Sequence, residues 1–167
     1  GYPVGYFVAE QWPPELPGVK DGVATISSDQ FLDVPASVQQ WRHEDGAAEF
    51  VVAGEPPVVD LAFHGDLGPD AINRRLWSSW GDIAIAEDGR VYCGIGDHGK
   101  DAEGDARCFI YCWNPETKTL QQIVDMNQVV PSRPGQPAWS KVHAKIDEGS
   151  DGKIYFNATL NAGSRAG

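Results

Sequence analysis

Histidine is the residue type in this chain best suited to chemistry near neutral pH, and four are present: His43, His64, His98 and His143. An unperturbed imidazole titrates near neutrality, so it can act as general acid, general base or metal ligand. His98 and His143 form the candidate acid/base pair. His64, Asp66 and Asp97 are ligand types for zinc, or for calcium where oxygens dominate, and either ion could serve as cofactor. The run GDHGKDAEGD adds further carboxylates but lacks EF-hand spacing. Arg74, Arg75 and Arg133 suit clamping of a carboxylate, and the indole faces of Trp77 and Trp139 suit stacking on a ligand. Plainer roles stand beside these. His43 is a solvated side chain, His64 braces a loop, His98 caps a turn, and His143 is a core histidine. The tryptophans are packing.

Cys93, Cys108 and Cys112 contain no CxxC spacing and lie in strand-like runs. They read as buried thiols. A Cys93–Cys108 bridge requires two paired strands with those residues opposed.

These residues need elements to position them. The first 79 residues are irregular, and Pro13, Pro14, Pro17, Pro35, Pro56, Pro57 and Pro69 argue against long central strands there. VGYFVAE, GVATIS and AEFVVAG are short strand candidates, and residues 34–43 predict a short helix after Pro35. From Trp80 the pattern sharpens. GDIAIAE, RVYCGIG, RCFIYCW and TLQQIVDM predict four antiparallel strands, with Asp88-Gly89 as a two-residue hairpin signal and Asn114–Lys118 as a polar turn. The unit then restarts: KVHAKIDEGS, Asp151-Gly152 and KIYFNATL repeat strand, Asp-Gly, basic residue and strand. Alternating strand direction places the tight turns on one face. The long loops, at residues 64–79, 96–106 and 127–140, fall on the other. Long loops gathered on one face of a scaffold are where function concentrates. Gly94-Ile95-Gly96 precedes no helix, so it is not a nucleotide fingerprint.

The Asp-Gly hairpins, the turn WNPETKTL and the run RLWSSWGDIAIAEDGRVYCGIGDHG resemble bacterial seven-bladed β-propellers of a secreted group. That group is distantly similar to the propeller-fold ulvan, oligogalacturonate and rhamnose–glucuronate lyases. The resemblance spans roughly residues 60–160. It implies an all-β fold, a partial β-propeller of about one and a half blades behind an irregular N-terminal segment. The divisions are 1–79 irregular, 80–126 a complete blade, and 127–167 an inter-blade loop with half of the next blade. The Asp88 to Asp151 interval exceeds the roughly 40–50 residues of common propeller repeats, which the long loops can absorb. The start at GYPVGYF and the end at NAGSRAG read as cuts in a longer chain.

For function, the resemblance implies a secreted carbohydrate-active propeller, a polysaccharide lyase acting on a uronate-containing glycan. An Arg would pair the carboxylate, and His98 and His143 would exchange the protons. The alternative is a non-catalytic propeller scaffold that binds a ligand or a protein partner. A quinoprotein propeller would need a quinone pocket and calcium ligands that the sequence does not display. The expected partners are a glycan or other extracellular ligand and the remaining blades of the parent chain. The expected location is extracellular or periplasmic. The net charge of −11 argues against non-specific nucleic-acid binding, and no apolar run approaches the roughly 20 residues of a membrane span.

Overall fold

The structure is a computed structural model that describes residues 12–13, 16–41, 45–46, 51–68, 76, 79, 83–97 and 106–160. The chain divides into two compact units, Leu16–Ala62 on the one hand and Gly1–Glu15 with Phe63–Gly167 on the other.

In the smaller unit β1 (Val23–Ile26) pairs antiparallel with β2 (Val59–Ala62), with Val23 opposite Ala62 and Ile26 opposite Val59. A two-residue turn leads into β1. Asp21 and Gly22 both have positive φ, and the backbones of Lys20 and Val23 bond each other at 2.8 and 2.9 Å. The Thr25 hydroxyl donates to Asp60 across the ladder. After Pro35 the chain makes a single helical turn, α1 (Ala36–Gln39), shorter than the helix expected over 34–43. Residues 51–53 form no strand, and Val51 is almost fully exposed. The candidate strand VGYFVAE lies outside the described residues.

The larger unit is built on a four-stranded antiparallel sheet of β3 (Ile83–Ile85), β4 (Val91–Gly96), β5 (Cys108–Asn114) and β6 (Thr119–Asp125), in that order. The composition of each strand matches its place. β5 is interior with both faces covered, so CFIYCWN is almost continuously apolar. β6 is an edge, and its burial alternates residue by residue. The β3–β4 turn is a three-residue loop rather than the two-residue one expected. Ala86 N–H donates to the Arg90 carbonyl at 2.9 Å, Gly89 N–H donates to the Ala86 carbonyl at 2.9 Å, and Gly89 takes φ 82°. Glycine in the left-handed region closing such a loop is a common hairpin solution. At the β5–β6 turn, Asn114 Oδ1 accepts from the backbone N–H of Glu116 at 3.0 Å and of Thr117 at 3.4 Å.

Two clusters cover the sheet. On one face, Cys108 and Ile110 pack with Met126, Val142 and Ile146, backed by Ala84, Tyr92, Ile154 and Phe156. On the other, Ile95, Phe109 and Tyr111 pack with Leu76, backed by Leu67, Cys93 and Leu120. The first face is covered by β7 (Trp139–Val142), β8 (Asp147–Glu148), β9 (Ile154–Tyr155) and β10 (Ala158–Leu160). Gly94 and Gly96 allow β7 this close. A Cβ on Gly94 would stand 2.6 Å from Val142 Cβ, and one on Gly96 would overlap the Ser140 carbonyl.

The partial β-propeller is a correction. Among the described residues there are four sheets, of two, two, four and two strands, all open and antiparallel, and none of them closes or curls. The Asp151-Gly152 turn does repeat the Asp88-Gly89 turn bond for bond. Gly149 N–H donates to the Lys153 carbonyl at 2.8 Å, Gly152 N–H donates to the Gly149 carbonyl at 2.9 Å, and Gly152 takes φ 73°. The repetition stops there. KVHAKIDEGS is not one strand: β7 ends at Val142 and β8 begins at Asp147. Among the described residues β7 pairs with β10 and β8 with β9, so two separate ladders form where one hairpin of two strands, half of a blade, was expected.

Candidate functional site

Two groups of polar side chains stand out in the larger unit. The first surrounds His64, which is only 4% exposed. Its Nε2 lies 2.7 Å from the Leu76 carbonyl, so Nε2 carries the proton and Nδ1 the lone pair. Nδ1 is buried without a hydrogen-bond partner. The ring lies between Trp12 and Tyr111, at centroid distances of 5.0 and 5.2 Å. Trp12 Nε1–H donates to the His64 carbonyl at 2.7 Å, and Tyr111 O–H donates to Asp66 Oδ1 at 3.0 Å. Burial holds the imidazole below its ordinary titration range, against opposing pulls from the Leu76 carbonyl and Asp66. Burial, then the Asp66 hydrogen bond, hold the Tyr111 phenol well above its ordinary range. Both rings are therefore uncharged at neutral pH. The group ties four segments together, at residues 12, 64–66, 76 and 111.

The second group lines a cleft of about 530 Å³ at the end of the sheet where β5 begins and β6 ends. Its walls are Ala106 and Arg107 before β5, Asp125 at the end of β6, Asn127 and Gln128 of the single turn α2 (Met126–Val129), and Pro131, Ser132 and Ala138. Asp125 turns the chain into α2 by accepting from Asn127 N–H at 3.0 Å. Asn127 is then fully used. Its Nδ2 donates to the carbonyls of Ala106 at 2.9 Å and Trp139 at 3.1 Å, and its Oδ1 accepts from Trp139 N–H at 2.9 Å. One amide thus fixes the residues before β5, the start of β7 and α2 relative to one another. Ser132 Oγ donates to the Pro137 carbonyl at 2.9 Å, and Trp139 Nε1–H donates to the Val130 carbonyl at 2.7 Å, so the 130–138 loop is braced from within. The result is a preformed hollow with a guanidinium, a carboxylate, an amide and a hydroxyl on its walls. Its volume falls within the roughly 300–1,000 Å³ of small-molecule sites.

The residues singled out from sequence are scattered. His98, Arg74, Arg75, Trp77 and His43 lie outside the described residues. His143, expected as one of an acid/base pair or as a core histidine, is not in the core. It is exposed in the irregular stretch between β7 and β8. Arg133 is exposed in the loop beside the cleft but is not one of its walls. Trp139 is half-buried, its indole packed against the core and its N–H spent on Val130, so it is a brace and not a stacking platform. Asp97 is buried, with its N–H donating to the Arg107 carbonyl at 3.0 Å. His64 and Asp66 meet through Tyr111. Among the described residues no three His, Cys, Asp or Glu gather as a metal site, so His64, Asp66 and Asp97 are not one ligand set.

All three cysteines are free. Cys93 stands opposite Tyr111 and Cys108 opposite Gly96, so the bridge geometry is not met. Burial pushes the Cys108 thiol up to about 12, with help from Asp125, and burial raises Cys93 as well.

Arg107, Asp125, Asn127 and Gln128 escaped the sequence reading. The available signal was positional: Arg107 and Gln128 flank or enter the long loops expected to carry function. Comparison with protein-family models, with curated proteins and with solved structures finds no match in any of the three. The resemblance to secreted bacterial propellers and their lyase relatives is thus unsupported by any relative. The propeller, lyase, carbohydrate-binding and secreted readings that followed from it are withdrawn. No described helix is long and apolar enough to cross a membrane.

Proposed function

We propose that this chain is a non-catalytic binding module that holds a small polar ligand in the cleft at the loop end of its four-stranded sheet. The supporting observation is the cleft itself, about 530 Å³ walled by Arg107, Asp125, Gln128 and Ser132 and held open by the three hydrogen bonds of Asn127. Charges of both signs on its walls suit a ligand that is itself zwitterionic, with a carboxylate toward Arg107 and an ammonium toward Asp125. His64 and Tyr111 are not among the walls of this cleft. The test is a nitrogen-15 correlation spectrum titrated with glycine, N-acetylglycine and glycinamide, a zwitterion, an anion and a cation of one size. The expected result is saturable shifts at Arg107, Asn127, Gln128 and Ser132, largest with glycine. Absence of shifts there with all three probes would remove the proposal.

A further inference from the structure

We propose that the outer edge of β3 is a docking strand for an extended segment of a partner protein, apolar at alternate positions and basic at the end that meets the Glu87–Gly89 turn. The argument starts from the ladder. Among the described residues β3 is the first strand of its sheet and pairs on one side only, with Ile83 opposite Cys93, Ala84 opposite Tyr92 and Ile85 opposite Val91. Ala86 N–H bonds the Arg90 carbonyl, so Ala86 and Arg90 form a hydrogen-bonded pair. Antiparallel pairs alternate, so Ala84 and Tyr92 form the next one. The backbone N–H and C=O groups of Ile83 and Ile85 therefore point away from β4, toward the open edge.

The same two residues carry the uncovered side chains. Ile83 is 66% and Ile85 74% exposed, while Ala84 between them turns into the core. Natural edge strands are protected by Lys, Pro, bulges or a covering segment. Ile-Ala-Ile has neither Lys nor Pro, and its register with β4 runs without a bulge. Two free ladder positions beside two exposed isoleucines match what an added strand uses: main-chain bonds for affinity and alternate side chains for selection.

Charge selects the occupant. The turn that ends β3 carries Glu87 and Asp88, and Glu148 brings a third carboxylate by accepting from Glu87 N–H at 2.6 Å. Among the described residues Arg90 stands 3.5 Å from Asp88. A second copy of a chain with net charge −11 is repelled, whereas a basic segment is attracted.

The experiment uses the whole chain and a synthetic seven-residue peptide alternating threonine and valine between terminal lysines. A matched peptide carries terminal glutamates. The expected outcome is at least tenfold slower exchange of the Ile83 and Ile85 amides with the lysine peptide. The effect should weaken with salt, with the glutamate peptide, and in Ile85→Lys, whose side chain is exposed and whose fold is checked by an unchanged spectrum elsewhere. Unchanged exchange with the lysine peptide would overturn the proposal. Equal binding of both peptides would overturn its charge selection. Protection that rises with protein concentration alone, alongside a dimer in sedimentation, would overturn it in favour of self-pairing.

Discussion

At the scale of single residues, the sharpest constraint is the contact of β4 with β7. Gly94→Ala brings a methyl group to 2.6 Å from the Val142 Cβ, at the root of a stiff side chain, and Gly96→Ala meets the Ser140 backbone still more closely, so each substitution requires β7 to move. Overpacking of this kind costs about 1–3 kcal/mol, with Gly96→Ala expected at or beyond the upper end. Urea unfolding of the two variants checks the order, and a Gly96→Ala midpoint equal to wild type would contradict the packing. The Cys108 thiol, buried and held at about 12, should resist iodoacetamide in the folded protein and react once unfolded. Mass mapping of the labelled peptide reads this directly. His64 makes a pH prediction. Burial sets its folded pKa below its unfolded one, so the unfolded chain takes up the proton first. Stability from this residue is complete above about pH 6.5 and is lost as pH falls through the lower, folded value. His64→Gln should flatten the decline of the urea midpoint between pH 7.5 and 5.5, and an unchanged slope would place the titration elsewhere. The bracing role of His64 is legible in sequence because a histidine inside an apolar stretch such as LAFHG has few other fates. Its ring partners Trp12 and Tyr111 lie 52 and 47 positions away in the chain, and no local pattern joins them.

At the scale of elements, the two Asp-Gly turns are one device used twice. Gly89 and Gly152 both lie in the left-handed region with open space where a Cβ would stand. Replacing either by alanine therefore incurs only the backbone penalty, roughly 1–2 kcal/mol. Paired denaturation curves should give similar losses for Gly89→Ala and Gly152→Ala. A loss confined to one would show that the turns are not equivalent. Asn127 is the opposite case, a single amide holding three segments. Asn127→Ala leaves the Ala106 and Trp139 carbonyls and the Trp139 N–H without their partner, at about 1–3 kcal/mol for each buried group that water does not reach. The turns and the alternation of β6 are legible from sequence because each depends on neighbours a few residues apart. The pairing of β7 with β10, and the isolation of β8 with β9, depend on Val142 finding the gap above Gly94. That contact is invisible to a strand-by-strand reading, which runs KVHAK into the next strand and expects a single two-stranded hairpin there.

At the scale of the whole molecule, a repeated hairpin does not entail a closed repeat architecture. The strand pattern of residues 81–126 and the second Asp-Gly turn are real local features, but closure is a property of how sheets are arranged, and here each sheet ends in open edges. The residues of the proposed site follow the same division. The expectation that long loops gather at one end of the sheet points to the same end as the cleft, which lies between residues 106–107 and 125–138. The particular residues that wall it are ordinary in sequence, because Asn127 and Gln128 carry no motif and acquire meaning only when α2 sets them against the start of β5. The most direct measurement of the binding reading compares wild type with Gln128→Trp, in which an indole at an exposed wall position fills the cleft without entering the core. Both proteins are titrated with glycine and followed in the nitrogen-15 correlation spectrum. The account predicts saturable shifts at Arg107, Asn127 and Ser132 in wild type and their loss in Gln128→Trp, with the remaining resonances unmoved. Shifts that persist unchanged in Gln128→Trp, or a wild-type spectrum that glycine leaves untouched, would contradict it.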